Sequence, residues 1–313
     1  NVVMYSALSN SWSNPEEISI ESTEARQPRV VTNGETLALA WFQEDATSGT
    51  NLWASVYDSS ILAWRTAHNL GNAAGVDYGL GSVEGRLQGV INSKDEVILS
   101  WSGDVGLGEE DILISKYSPG AGWAPVKNID NLPGEAGAMT LDIDDNDNVH
   151  AAWVQNDGID FSIYYAEYSD SNSVWSPPLR IENLAGISFS PDLAVTGDYV
   201  YVVWSRKDNH SVTHADIYVN ERISGAWGGE QQVTDLARVL PKVEVDGEGN
   251  AVILYHNIHT QYTRKLTSSS WETPSHVTQY NDGEQHLFEI NSDGLGAAVW
   301  VAENNGSDDL ILS

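Results

Sequence analysis

Apolar and polar residues alternate along most of this chain with a period of two, in short runs broken by Gly, Asp and Asn. Pro191-Asp-Leu-Ala-Val-Thr-Gly-Asp-Tyr-Val-Tyr-Val-Val-Trp204 is one such stretch, and Lys242-Val-Glu-Val-Asp-Gly-Glu-Gly-Asn-Ala-Val-Ile-Leu-Tyr255 is another. Alternation on both sides of a Gly/Asp/Asn turn predicts a β-hairpin. A loop of variable length follows each hairpin. Then come a third strand, such as Asp111–Tyr117 or Ser162–Tyr168, a short turn, and a fourth strand such as Trp175–Ile181. No segment sustains a helical period.

The four-strand pattern repeats. Trp41, Trp101, Trp153, Trp204, Tyr255 and Trp300 close the hairpins, while Trp12, Trp64, Trp123, Trp175, Trp227 and Trp271 open the fourth strands. Each series spans 259 residues in five steps, a mean of 51.8, so 313 residues hold six units. Aromatics in that register are expected to pack between neighbouring sheets. The prediction is one all-β domain over 1–313, a six-bladed β-propeller of four-stranded antiparallel blades. Val2–Ala7 and Trp12 match third and fourth strands, and Leu287–Ile290 and Leu295–Trp300 match first and second ones. The N- and C-termini are therefore expected to share the closing blade, although Asp309–Ser313 also reads as a third strand for the same slot.

Charge narrows the partners. Fifteen Lys and Arg stand against 45 Asp and Glu, a formal charge of −30, which repels nucleic acid and anionic membranes. The 12 Trp and 13 Tyr exclude disorder as the cause of that acidity. Without cysteine there is no disulfide framework, thiolate metal site or thiol nucleophile. No apolar run reaches the roughly 20 residues of a membrane helix, so membrane insertion is not expected. The composition points to an extracellular or cell-surface protein.

The turn Tyr168-Ser-Asp170-Ser-Asn172-Ser-Val-Trp175 resembles the Ser-x-Asp-x-Gly-x-x-Trp motif of BNR (Asp-box) repeats, and Ser118-Pro-Gly120-Ala-Gly-Trp123 keeps its glycine. The chain thus resembles a degenerate, sialidase-superfamily six-bladed propeller. Sialidases of that fold use an arginine triad, a Phe-Arg-Ile-Pro segment and a Tyr/Glu nucleophile pair. The nearest piece here is Arg26-Gln-Pro-Arg29, so no catalytic residue is carried over.

In a propeller the strand 2–3 loops and the inter-blade loops share one face, where ligands usually bind. Candidate ligand-binding residues on it are Arg29, Glu44, Arg86, Asp104, Gln155, Asp157, Arg206, Lys242, His256, His259 and His286. Histidine is a common acid/base and metal ligand near neutral pH. His210, His214, His256 and His259 are thus candidates for a divalent cation, and His256, Tyr280 and Arg206 for lyase chemistry on a uronic-acid polymer. Carboxylates such as Glu44 with Asp104 or Glu303 would serve a hydrolase. Asp142-Ile-Asp-Asp-Asn-Asp-Asn148 looks calcium-like but has Asp147 and Trp153 where an EF-hand needs Gly and Glu, so a turn is expected. The leading expectation is a glycan-binding recognition module. A carbohydrate-active enzyme and a scaffold domain of an adhesin are the alternatives.

Overall fold

The computed structural model describes residues 1–313 except 7–9, 20–23, 46–48, 73–86, 105–108, 208–214, 238, 257–259, 266, 268, 277–281, 305–306 and 313. At strand residues 6, 45, 235–237, 239, 256, 260–261, 264, 276, 282–287, 299–304 and 307–312 it describes the backbone alone. Every regular element among the described residues is a β-strand.

The strands group into successive antiparallel sheets. Unit 1 consists of Ala25–Thr32, Leu37–Asp45, Gly49–Asp58 and Ala63–Trp64, and unit 2 of Leu87–Ile91, Val97–Gly103, Asp111–Ser118 and Gly122–Trp123. Unit 3 contains Ala136–Ile143, Val149–Asn156, Phe161–Ser169 and Val174–Trp175; unit 4 contains Ile187–Thr196, Tyr199–Lys207, Ala215–Ile223 and Ala226–Trp227. Val239–Val245, Ala251–His256, Thr260–Lys265 and Ser275–His276 form unit 5. The last sheet, unit 6, has Asp282–Ile290, Gly296–Asn304 and Ser307–Leu312. Each unit runs in chain order from an inner first strand outward, and successive first strands pack side by side.

In units 2 and 3 the fourth strands break off for a reason visible in the sequence. Pro125 follows Trp123, and Pro177 and Pro178 follow Trp175; proline gives no N–H to a ladder. The chain resumes pairing afterwards, at Lys127–Asn128 and Leu179–Arg180.

Register aromatics fill the sheets as expected. Trp101, Trp153, Trp204 and Tyr255 are fully buried, and Trp41 is nearly so. The fourth-strand tryptophans are half-buried and lie against tyrosines of the third strand, as in Tyr57–Trp64, Tyr117–Trp123 and Tyr168–Trp175. Trp12 departs from this: 66% of it is exposed.

That exposure corrects the expected closure. The N-terminal strands Tyr5–Ser6 and Ser11–Trp12 form their own two-stranded sheet, and Ser307–Leu312 takes the third position of unit 6 instead. Two residues separate it from its partner strand, so pairing costs far less chain entropy than joining opposite ends of the molecule.

The turns between first and second strands repeat one device. Asp144 Oδ1 accepts from the N–H groups of Asn146 and Asn148, each at 2.8 Å, and Asp246 Oδ1 accepts from Glu248 and Asn250 at 2.9 Å. Asn92 and Asn291 accept in the same way. The calcium-like run is thus a self-satisfied Asx turn. These turns also lace neighbours together, with Ser93 N–H and Oγ donating to Asp147.

Candidate functional site

The first strands share an irregularity that sets up the centre of the molecule. Gln27, Ala138, Ser190 and Leu240 have φ of 51, 48, 52 and 60°, and strand pairing slips there in each of units 1, 3, 4 and 5. Left-handed backbone is uncommon outside glycine and marks a β-bulge here. The next residue is Pro28, Met139, Pro191 or Pro241, and a bulge is where a strand tolerates proline. Past it, Arg29, Thr140, Asp192 and Lys242 take equivalent places opposite Ala40, Ala152, Val203 and Leu254. Gln88, opposite Ser100, completes the series in unit 2.

These side chains border a central cavity of about 610 Å³, to which all six units contribute. Two residues further along lie Val31, Val90, Asp142 and Glu244, and unit 6 adds Glu289. The inner strands are sheet edges, whose free N–H groups need acceptors, and carboxylates of the preceding unit supply them. Asp142 Oδ2 accepts from Val195 N–H at 2.8 Å, and Asp192 Oδ2 from Val243 N–H at 2.9 Å. Lys242 Nζ reaches Asp192 Oδ1 at 3.3 Å, and Arg29 Nη2 donates to Gln88 Oε1 at 3.1 Å.

Charge is unevenly spread around this wall. Units 1 and 2 present Arg29, Asn33 and Gln88; units 3 to 6 present Asp142, Asp192, Lys242, Glu244 and Glu289. Burial pushes the Glu244 carboxyl up to about 9, helped by Glu289, Asp192 and Asp142 and opposed by Lys242. Burial likewise pushes Asp142 up to about 7, although N–H donors from Ile143 and Val195 pull the other way. Crowded carboxylates in a poorly solvated space hold protons at neutral pH.

Of the ligand-binding candidates named from the sequence, Arg29 and Lys242 line this cavity, and so does Asp142 of the calcium-like run. Arg29 does so from within a strand, not from an inter-blade loop. The cavity is built by the halves of the first strands that lead into the strand 1–2 turns, whereas the expected ligand face lies at the strands' other end.

Gln155 and Arg206, expected on that face, are buried and engaged within the fold. Both stand two places beyond a buried tryptophan. Gln43 Oε1 accepts from Trp41 Nε1 at 2.9 Å, and Gln155 Oε1 from Trp153 Nε1 at 3.1 Å. Arg206 has no acceptor to offer, and Trp204 Nε1 is left unpaired among the described residues. Arg206 instead stacks on Tyr218 at 3.5 Å and pairs with Glu230 at 3.1 Å.

Asp157 closes its own loop, accepting from Ile159 and Asp160 N–H at 3.0 Å and pairing with Arg180 at 3.2 Å. Glu44 is exposed, 3.6 Å from Arg26. Asp104 is half-buried next to the second strand of unit 2. Arg86, His210, His214, His259 and Tyr280 lie outside the described residues, and His256 and His286 are described by backbone alone. No cluster of three or more His, Asp or Glu suited to a metal ion occurs among the described residues, nor does a helix long and apolar enough to cross a membrane.

One further acid passed unnoticed in the sequence. Asp130 is wholly buried, and its Oδ2 has no partner among the described residues. Burial raises its carboxyl to about 7, with Asp111 adding to the effect. The equivalent Glu182 is satisfied, by Ile163 N–H at 3.0 Å and Ser188 Oγ at 2.7 Å. Ala136 stands where Ser188 stands, so Asp130 lacks that hydroxyl.

No protein-family model matches the sequence, and no curated protein matches it. Solved structures do match in fold. An ulvan lyase described as a new family of polysaccharide lyase superposes with a TM-score of 0.61 at 10% identity, over 90% of this chain and 78% of its own. The β-propeller domain of the Trilobed protease from Pyrococcus furiosus, described as having an open velcro topology, gives 0.55 at 11% identity, over 93% and 82%. An α-L-arabinanase from Penicillium chrysogenum, complexed with arabinobiose, gives 0.53 at 12% identity, over 92% of each chain. The chain has a β-propeller fold.

Proposed function

We propose that this chain is a single six-bladed propeller of the extracellular or cell-surface kind that binds carbohydrate in its central channel. The kinship with BNR-type repeats belongs to the same proposal. The reading rests on the 610 Å³ cavity, whose wall sets Arg29, Gln88, Asp192, Lys242 and Glu244 around one space. That size suits a small ligand, and donors alternating with acceptors suit hydroxyl-rich ones. Lyase and arabinanase structures of the same fold act on or hold saccharides, which supports the reading by analogy. The test is calorimetry against a panel of neutral and acidic oligosaccharides. A binder is expected whose affinity falls about tenfold in Arg29→Ala. No binding across the panel would sink the proposal and leave a scaffold role.

A second reading, a glycoside hydrolase, is favoured by the raised Asp142 and Glu244 carboxyls standing near Asp192 and Glu289. Glycoside hydrolysis needs a protonated acid opposite an ionised carboxylate. Release of reducing sugar, abolished in Glu244→Gln, would establish it. Unsaturated product lost in His256→Ala or Tyr280→Phe would point instead to a lyase centred on those residues.

A further inference from the structure

A second cavity, of about 90 Å³, lies at the seam between units 2 and 3. Ile98, Ile114 and Val149 contribute its apolar side; Trp175 and Tyr168, with ring centroids 5.7 Å apart and planes at 48°, contribute its aromatic side. The third strand of unit 2 carries a smaller residue at this seam than unit 3 carries at the next one. Ile114 follows Leu113, which faces Trp101, just as Tyr165 follows Tyr164, which faces Trp153. At the seam between units 3 and 4, Tyr165 meets Trp227 edge-on, with centroids 5.0 Å apart. The smaller Ile114 leaves the corresponding space empty of side chain.

Two of the chain's six lysines border this cavity. Lys116 Nζ is held by both oxygens of Glu96 at 3.0 Å and lies 5.8 Å from the Tyr168 ring centroid. Lys127 is exposed and has no ion-pair partner among the described residues. In a chain of net charge −30, an unpaired cation beside a half-buried tryptophan selects an anion attached to an apolar surface.

We propose that the seam is a binding site for one acidic sugar residue, a hexuronate whose C–H face lies on Trp175 and whose carboxylate pairs with Lys127. The volume is below the roughly 150 Å³ of an apolar cavity that encloses a benzene, so it takes part of a single ring and no chain. The inference rests on the carbohydrate reading above but concerns a different place in the molecule.

The test titrates the whole chain with methyl glucuronide, with methyl glucoside and acetate as controls, followed by tryptophan fluorescence and calorimetry. Methyl glucuronide is expected to bind. Ile114→Tyr, which copies the residue the next unit already carries, should weaken it about tenfold by filling the seam. Lys127→Gln should weaken it about tenfold while leaving methyl glucoside unchanged. In an Arg29→Ala background, which disturbs the channel, the losses caused by Ile114→Tyr and Lys127→Gln should persist, which separates this site from the channel. Failure of methyl glucuronide to bind, glucuronide affinity unmoved by both seam variants, or acetate binding as tightly as the glucuronide would overturn the proposal.

Discussion

Units 2 and 3 are neighbouring copies of one backbone plan, and they differ where the plan leaves room for chemistry. Ile114 in one is Tyr165 in the other; Asp130 matches Glu182, Gly89 matches Leu141, and Val90 matches Asp142. Tyr165 closes its seam and joins a polar chain: His150 Nδ1 lies 2.6 Å from its hydroxyl, and Arg222 Nη1 donates to it at 3.2 Å while pairing with Glu167 at 2.8 Å. Ile114 leaves its seam open. The pair teaches that the repeat dictates strands and core, whereas single departures decide where a space or a buried charge arises.

Making unit 3 resemble unit 2 should have the largest effect. Tyr165→Ile strands His150 and Arg222 without their hydroxyl and opens a gap beside Trp227, at a cost of about 3 kcal/mol in urea unfolding. The reciprocal Ile114→Tyr should cost under about 1 kcal/mol, since it fills space already present.

Gly89→Leu, which copies Leu141, comes next. A Cβ at Gly89 would lie 2.7 Å from both Leu99 Cδ2 and Val31 Cγ2, so those two side chains must shift. A loss of about 2 kcal/mol is expected.

Asp130→Asn sharpens the comparison through pH. The wild-type carboxyl is raised to about 7 in the fold, so the folded state holds a proton that the unfolded chain releases from about pH 4 upward. Its contribution to stability therefore declines as pH rises from about 4 to 7. Stability measured across that range should fall less steeply in the variant, with a gain of about 1 kcal/mol at pH 8 and none below pH 4. The smallest effect is expected of Ala136→Ser. It gives Asp130 the hydroxyl that Glu182 has, and should add about 0.5 kcal/mol by the same measurement.

Much of this fold was legible. The spacing of the tryptophans located the sheets because a repeated sheet needs a repeated wedge, and Trp101, Trp153 and Trp204 are buried as that demands. The Asp144 turn was legible too, since short-range acceptors satisfy it. That Gln155 and Arg206 are buried in internal contacts was not legible, because a polar residue after a core aromatic looks the same in sequence whether it faces a ligand, an indole N–H or a neighbouring ring. The channel carried an overlooked signal: Gln27-Pro-Arg29, Ser190-Pro-Asp192 and Leu240-Pro-Lys242 repeat a proline followed by a charged residue. Proline within a strand announces a bulge, and the charge behind it points to the wall of the cavity.

Sequence alone determined the strand period, the aromatic core and the acidic surface, because each depends on residues close along the chain or on composition. Tertiary structure decided which strand completes unit 6, which carboxylates crowd together at the centre and which seam stays open. Those outcomes depend on distances between units, and no local pattern encodes the space left between two sheets.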